Sequence, residues 1–499
     1  MEIFLKIRMR PLAGKSQTPL KLRFICCSSL MILSTLSITV ISMKNVVDPY
    51  SLLIHLLDLI QTSIPFKHLH LLAAAATTLI LLAGFYFTHR PNEYIYLIGF
   101  SCYRPPDWSR VPLSSYIEHA NISCVFNDQS IKFQKKLLER SGLGNETCFP
   151  VGIHQIPPDF SLQSGMLEVK TVMFTTVQDL LTKLNINPTT IDILITSCGL
   201  FCTTPSMATI VINKFGFRSD VRSFHLAGMG CSASLKSIDL ARDLLRVHKN
   251  SLALVISMEA TTAGYQGNKK SMLVTNCLFR KGGVAILLSN HKGDKPRARY
   301  LLQHLVCTHT GSNDTAYNCV TQELDDEGIV GVSLSKDIVQ VAGDALKANM
   351  KLLGPLVLPY TQLLRYGWSL IRSKFGAPIY VPDFHKAFDH FCIHAGGKAV
   401  IDAIGNGLGL DAENVEASRM TLYRFGNTSA ASIWYSLCYM EAKGRVKKGD
   451  RVWQISLGSG FKCNSAVWKC VSDLGPCIQN AWSDRTHKYP VEVPNVMDT

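Results

Sequence analysis

Two stretches near the N terminus contain no Asp, Glu, Lys or Arg. Phe24 to Met43 spans 20 residues and Leu69 to Phe87 spans 19. A bilayer's hydrocarbon core is about 30 Å thick, and about 20 helical residues cross it. That match in length constrains the first ninety residues more than any other feature. Tyr86 and Phe87 stand where interfacial anchors are expected. Ser28, Ser29, Ser34, Thr35, Ser37 and Thr39 weaken the first stretch. Ahead of it lie Lys6, Arg8, Arg10, Lys15, Lys21 and Arg23 against Glu2 alone. A basic tail beside an apolar segment is a topology signal. It predicts a cytosolic N terminus, two crossings and a return to the cytosol at Arg90. A signal peptide with a long basic region is the alternative for the first stretch. A second span follows and no clear small-residue cleavage site stands out, so a retained anchor over residues 1–90 is the reading kept. Tyr50 to Ile64 reads as an interfacial segment between the spans.

The rest of the 499-residue chain is globular in composition, with 47% apolar and 18% charged residues overall. Disorder, collagen and coiled-coil classes are excluded. The net charge is +14, and it is densest in the basic tail. No Lys/Arg stripe interleaved with aromatics follows, so nucleic acid is not an expected partner. The milder remaining excess suits small anionic ligands. The 16 cysteines are scattered, without zinc-ribbon or secreted-scaffold spacings, and read as reduced thiols facing the cytosol. Sequons at Asn121, Asn145 and Asn313 point the other way, but the motif is short enough to recur by chance.

Residues 91–499 have α/β texture. Asp192–Thr196, Ala253–Ser257, Gly283–Ser289 and Val452–Leu457 are near-continuous apolar runs, as expected of strands covered on both faces. In Ser234–His248, Leu235, Ile238, Ala241, Leu244, Leu245 and His248 follow helical spacing. Gly405 to Gly409 and the Gly354-Pro355 pair read as breaks. An internal repeat is visible: Gly230-Cys-Ser-Ala-Ser and Gly426-Asn-Thr-Ser-Ala-Ala-Ser each open a helix that leads to a strand. On that reading Cys231 and Asn427 occupy equivalent helix starts, brought together at a pseudo-twofold.

Three positions carry candidate chemistry. Cys231 lies in Gly228-Met-Gly-Cys-Ser-Ala-Ser, where glycines permit a sharp turn into a helix. A helix N terminus stabilises thiolate, which predicts a thiol below its usual pKa of about 8.5. The alternative is a buried cysteine in tight packing. His390 and His394 are four apart, on one face if the segment is helical. A metal site with His385 or Cys392 lacks a complementary ligand pair. A core histidine is the plain alternative, but Gly396-Gly397 leaves room for a ligand beside His394. Asn427 is either an N-cap or a hydrogen-bond donor to an oxyanion. Ser459 and Gly460 form a turn that either brings backbone N–H groups to the sulfur or merely reverses the chain.

Together these motifs resemble the plant 3-ketoacyl-CoA synthases, the condensing enzymes of very-long-chain fatty acid elongation. The resemblance runs from about Tyr94 to Val491. It is dense at Glu139-Arg-Ser-Gly-Leu-Gly, Phe224–Leu245, Gly267–Asn290, Gln322–Asp337, Tyr380–Asp402, Glu416–Tyr435 and Val452–Trp468. Two N-terminal spans are typical of that family. The resemblance implies a thiolase-like duplicated α-β-α-β-α five-layer fold, with halves 91–300 and 301–499. It implies a Cys-His-Asn triad at Cys231, His394 and Asn427. His309, His385 and His390 lie at or near other family histidines. Thr261 to Gln266 departs from the family pattern, where relatives often carry more aromatics, and this bears on chain-length preference.

The implied reaction is acyl transfer from acyl-CoA to Cys231, then decarboxylative attack by malonyl-CoA. The N–H of Cys231 and one from the Ser459–Gly460 turn would hold the oxyanion. A neutral His394 donating through Nε2, with Asn427, would hold the enolate. No metal or organic cofactor is implied. The implied partners are acyl-CoA, malonyl-CoA, the endoplasmic reticulum membrane, a second copy of the chain, and the reductases and dehydratase of an elongase complex. A papain-like protease shares the Cys, His, Asn order but not the local cysteine signature. A type III polyketide synthase shares fold and triad but is usually soluble. A catalytically weak scaffold subunit of an elongase complex is the non-enzymatic alternative.

Overall fold

The computed structural model describes residues 77–80, 94–374, 376–475 and 479–493. The chain divides into two units, Met1–Asn92 and Glu93–Thr499. In the first, only a helical turn over residues 77–80 is described. The expected spans therefore fall outside the described residues, apart from that turn. Among the described residues no helix is long and apolar enough to cross a membrane.

The strands of the second unit are β1 (Tyr96–Cys102), β2 (Ile193–Cys198), β3 (Arg222–Ala227), β4 (Leu252–Glu259), β5 (Gly282–Ser289), β6 (Tyr300–His309), β7 (Val320–Leu324), β8 (Val330–Leu334), β9 (His390–Ile393), β10 (Arg451–Gly458) and β11 (Lys462–Cys470). The main helices are α1 (Leu113–Ile122), α2 (Asp128–Arg140), α3 (Leu162–Leu184), α4 (Met207–Phe215), α5 (Ala233–Val247), α6 (Lys270–Leu278), α7 (Ile338–Val357), α8 (Tyr360–Ser373), α9 (Lys398–Leu408), α10 (Ala412–Phe425) and α11 (Ser432–Ala442). Nine strands form one mixed sheet in the order β3-β2-β4-β5-β1-β6-β11-β10-β9, and β7–β8 is a separate hairpin.

The topology is duplicated. In the first half β1 pairs antiparallel with β5, β5 antiparallel with β4, and β4 parallel with β2. In the second, β6 pairs antiparallel with β11, β11 antiparallel with β10, and β10 parallel with β9. The two first strands meet antiparallel, Tyr96 opposite Leu301 and Leu97 opposite Tyr300.

Alternation along the strands sorts the core into layers, because successive side chains point to opposite faces. Leu254, Ile256 and Met258 of β4 join Val169, Val172 and Val177 of α3 in one outer cluster. Ala253 and Val255 face Leu235, Ile238 and Ala241 of α5, in a central cluster that also holds Trp434 and Leu437 of α11 and Val452 and Trp468 of the second half. Trp453 and Ile455 of β10 turn the other way, toward Ala342 and Leu346 of α7. Helices α5 and α11 are thus the middle layer between two half-sheets, with α3 and α7 outside them. From Ser432 to Glu441 every residue of α11 is buried, as a middle-layer position demands.

The four predicted strands are β2, β4, β5 and β10, and the predicted helix is α5. Two predicted breaks move. Gly405 lies inside α9, where a Cβ would stand 2.8 Å from Val415 Cγ1, so it serves close helix packing. The helix ends instead at Gly409, at φ +67. Gly354 and Pro355 fall in the last turn of α7, which runs on to Val357.

Candidate active site

Cys231 sits in a 3-10 turn, Gly230–Ser232, that feeds α5. Gly228 at φ +67 and Gly230 at φ +60 make the reversal that L side chains resist. The second half holds this turn in place. Ser456 Oγ donates to the Cys231 carbonyl at 2.8 Å, and Asn464 Nδ2 to that of Ser232 at 3.2 Å. A Cβ on Gly230 would stand 2.5 Å from Ser459 Oγ, and one on Gly458 2.5 Å from the Ser232 nitrogen. The Gly458–Gly460 turn therefore lies directly against the thiol-bearing turn.

The structure shifts the repeat by three residues. Helices α5 and α11 start at Ala233 and Ser432, and each is preceded by a 3-10 turn, Gly230–Ser232 and Ser429–Ala431. Gly230 then corresponds to Ser429, and Cys231 to Ala430. Ser429 keeps the left-handed conformation of its glycine counterpart, at φ +53. Cys231 and Asn427 are not equivalent positions. What stands across from the thiol is Ser429, whose Oγ lies 3.5 Å from Cys231 Sγ and 3.1 Å from Glu259 Oε2.

Glu259 escaped the sequence reading. It ends β4 and is 3% exposed. Its Oε1 accepts from the N–H groups of Gly199 (3.0 Å) and Leu200 (2.8 Å) and from Cys198 Sγ (3.2 Å). Burial raises its pKa against those bonds. The available signal was an acid closing an apolar strand run.

The expected low-pKa thiol is corrected. Burial pushes Cys231 up to about 12; the Ser429 hydroxyl works against that rise and the Glu259 charge adds to it. Desolvation of a thiolate outweighs the helix start here.

His394 follows β9 and is 4% exposed. Its Nδ1 is 2.7 Å from Ser432 Oγ, which also accepts from the Ala395 N–H at 3.3 Å. The contact suits a serine O–H donating to Nδ1, the arrangement in which the imidazole proton sits on Nε2. Burial lowers His394 to about 4, so it is neutral at pH 7. A Cβ at Gly396 would come within 3.0 Å of Nε2, so the glycine keeps that edge open. Asn427 Nδ2 donates to Gly396 O at 3.2 Å, and Asn427 Oδ1 accepts from the Ser429 N–H at 2.9 Å. A chain of contacts thus links Cys231, Ser429, Asn427, Gly396 and His394.

The other histidines lie apart from this chain. His390 and His394 do not share a helix face. They flank strand β9 at opposite ends, about 13 Å apart at 3.3 Å per residue. His390 Nε2 is 2.8 Å from Asp450 Oδ2. His385 Nε2 is 3.0 Å from the Gly409 carbonyl oxygen. His309 is exposed at the end of β6, where its Nδ1 accepts from the Gly311 N–H at 3.0 Å. It borders the Gly460 turn, since a Cβ on Gly460 would stand 3.4 Å from His309 Nε2. Partial desolvation of the ring, then nearby Lys462, lowers its pKa. Among the described residues no cluster of three metal-ligating side chains occurs.

A cavity of about 280 Å³ shares a wall with the site. Leu200 and Ala260 adjoin Glu259, and Phe279 pairs with Asn427 through an isolated bridge. Tyr116, Phe126, Phe149 and Phe160 also line it. All six residues from Thr261 to Gln266 line it. Glu168 fixes that segment, accepting from the N–H and hydroxyl of both Thr261 and Thr262 at 2.6–3.0 Å.

A duplicated mixed sheet around two buried helices, with cysteine, histidine and asparagine converging at their N-terminal ends, defines a thiolase-like chain of the type III polyketide synthase architecture. Solved structures share it. The tetrahydroxynaphthalene synthase of Streptomyces coelicolor A3(2), a bacterial type III polyketide synthase, superposes with a TM-score of 0.62 at 20% identity over 76% of this chain and 99% of that one. The fungal type III polyketide synthase ORAS gives 0.60 at 18% identity, over 75% and 99%. The family model for FAE1/type III polyketide synthase-like proteins matches residues 86–375, and that for the C-terminal part of 3-oxoacyl-[acyl-carrier-protein] synthase III matches 385–470. 3-Ketoacyl-CoA synthase 7 of Arabidopsis thaliana is 54% identical over 86% of this chain and 94% of its own length. 3-Ketoacyl-CoA synthase 5 of the same plant is 51% identical over 88% and 89%. The chain belongs to this family of condensing acyltransferases.

Proposed function

We propose that the chain condenses a long-chain acyl-CoA with malonyl-CoA to give 3-oxoacyl-CoA, CO2 and CoA, the first step of very-long-chain fatty acid elongation. The observation that carries this reading is the contact chain from Cys231 to His394, with an apolar cavity along one side of it. Cys231 sulfur attacks the acyl thioester carbon and CoA leaves, giving an acyl-enzyme. At a thiol pKa of about 12, the proton leaves as the bond forms rather than beforehand, and it ends on the departing CoA thiolate as CoASH. The Cys231 N–H, with one from the adjoining Ser459–Gly460 turn, serves the oxyanion. Malonyl-CoA then loses CO2, and its thioester oxygen takes the enolate charge. A neutral His394 with Nε2–H and the Asn427 amide are the donors for that oxygen. The carbanion attacks the acyl carbon and expels Cys231 as thiolate, which takes up a proton from solvent to restore the thiol. No base is required to form this carbanion, since decarboxylation generates it. The acyl chain occupies the cavity behind Leu200 and Ala260.

The membrane belongs to the same reading. Each buried methylene contributes about 0.8 kcal/mol, so long acyl-CoAs concentrate at bilayers. Two spans over Phe24–Met43 and Leu69–Phe87 would hold the site at an endoplasmic reticulum surface facing the cytosol. A homodimer and contacts with the other elongase enzymes complete the proposal. The test is carbon-14 malonyl-CoA incorporation by microsomes carrying the chain, over acyl-CoA primers of increasing length. Product from wild type and none from Cys231→Ala supports a condensing enzyme. No product with any primer, from protein that is folded and inserted, sinks this reading in favour of a scaffold subunit.

A further inference from the structure

Helix α8, Tyr360–Ser373, carries a stripe of large apolar side chains on its outer face. Its two fully buried positions are polar, Gln362 and Ser369, beside half-buried Leu363, Tyr366 and Leu370, of which Leu363 packs on the core. Gln362 Oε1 accepts from Tyr380 OH at 2.6 Å and from the Asp383 N–H at 3.1 Å, which pins the polar side inward. Four large apolar side chains lie on its outside: Tyr360, Leu364, Trp368 and Ile371 are 85, 74, 64 and 54% exposed. Their spacing of four, four and three residues puts them on one stripe. A helix face turned to water usually carries polar side chains instead. Leu352 and Leu356 before the stripe, and Ile379 and Val381 after it, are exposed as well. Eight of the 21 large apolar side chains exposed among the described residues fall between residues 352 and 381. Such concentration marks an interaction surface.

The charge around the stripe selects the occupant. No acidic residue occurs from 345 to 382, whereas Lys347, Lys351, Arg365, Arg372 and Lys374 do. Arg365 and Arg372 each adjoin a stripe residue and are exposed. Trp and Tyr beside Leu and Ile, bordered by arginine, is the composition of a helix lying in a bilayer interface. At 14 residues α8 is about 21 Å long, too short to cross a core of about 30 Å. We propose that α8 lies flat in the headgroup–acyl boundary of a membrane containing anionic lipid. Leu364, Trp368 and Ile371 are inserted, and Arg365 and Arg372 meet phosphates. This stands apart from the condensing chemistry and rests on the helix face alone.

The test places the photo-crosslinker p-benzoylphenylalanine at Leu364, and in a second preparation at Val247. Val247 is matched in chemistry and exposure, 74% at both sites. The full chain is reconstituted in vesicles of phosphatidylcholine with phosphatidylserine, irradiated and mapped by mass spectrometry. The expected result is a lipid adduct at 364 and none at 247. The adduct is lost when Trp368→Glu is added, with the thermal midpoint unchanged, and weakens when phosphatidylserine is left out. Equal labelling at both sites, no adduct at 364, a cross-link to a second copy of the chain, or a yield indifferent to Trp368→Glu or to phosphatidylserine overturns the proposal.

Discussion

The hydroxyl of Ser429 lies within reach of the sulfur of Cys231, at 3.5 Å, and at 3.1 Å it also meets a carboxylate oxygen of Glu259. One hydroxyl has one proton, so thiol and carboxylate compete for it. Donated to sulfur, it favours the ionised thiol. Ser429→Ala is therefore expected to slow alkylation of Cys231 by iodoacetamide. The loss of one modest hydrogen bond, about 1 kcal/mol, corresponds to about fivefold. Mass spectrometry of the Cys231 peptide over time measures it. An unchanged rate would detach Ser429 from the thiol.

Glu259 acts with the opposite sign. Its charge raises the Cys231 pKa, so Glu259→Gln is expected to speed the same alkylation while keeping an oxygen for the Gly199 and Leu200 N–H groups. In wild type the rate should climb about tenfold per pH unit from 7 to 10, without a plateau near 8.5. A plateau there would mean that burial does not control this thiol.

His394 sets a second pH dependence. Its folded pKa is about 4 against an unfolded value of 6.5. Between these values the unfolded chain binds the extra proton, so stability falls as pH drops from 6.5 toward 4 and is untouched above. The total is about 3 kcal/mol at 1.36 kcal/mol per pKa unit. Carbon-14 CO2 release from malonyl-CoA should stay flat from pH 8 down through 6.5. His394→Ala should abolish that release and remove this part of the acid instability. An inflection of CO2 release near 6.5 would contradict a neutral donor.

Much of this was legible in the sequence. Continuous apolar runs gave β2, β4, β5 and β10, because strands covered on both faces need no polar side. The glycine setting singled out Cys231, and the pair after His394 marked the open edge of its ring. Three things were hidden. A four-residue histidine spacing looks helical, yet β9 is a strand with one histidine at its start and another just past its end. The thiol was read from its helix start, but depth of burial, a tertiary property, decides its pKa. The repeat was aligned on glycines, whereas Ser429 takes the left-handed position without being one. Local patterns carry periodicity and turn chemistry; they do not carry depth.

The cavity wall gives a chain-length prediction. Ala263 lines the cavity on a segment that Glu168 holds by four hydrogen bonds. Ala263→Trp adds bulk without touching those bonds. Products should shorten by at least one two-carbon step, with total turnover on the shortest accepted primer retained. Gas chromatography of the methyl esters reads it. An unchanged product profile would place the acyl chain elsewhere.

Gly458 offers the sharpest test of how the two halves are fitted together. A Cβ there would stand 2.5 Å from the backbone nitrogen of Ser232, in the turn that carries Cys231. That turn is fixed by Ser456 and Asn464 from the second half, so the backbone has little room to yield. Overpacking of this kind costs about 1–3 kcal/mol. Gly293 is the control: a Cβ there meets nothing within 4 Å and its backbone is not left-handed. Gly293→Ala should leave the thermal midpoint unchanged or raise it slightly, by about 0.4–1 kcal/mol of stability. Gly458→Ala should lower the midpoint and slow acylation of Cys231 more than it slows CO2 release, because the clash moves the thiol turn and not His394. Equal losses in both steps would mean that the displacement spreads through the whole site, and no loss in either would mean that the turn is softer than its hydrogen bonds imply.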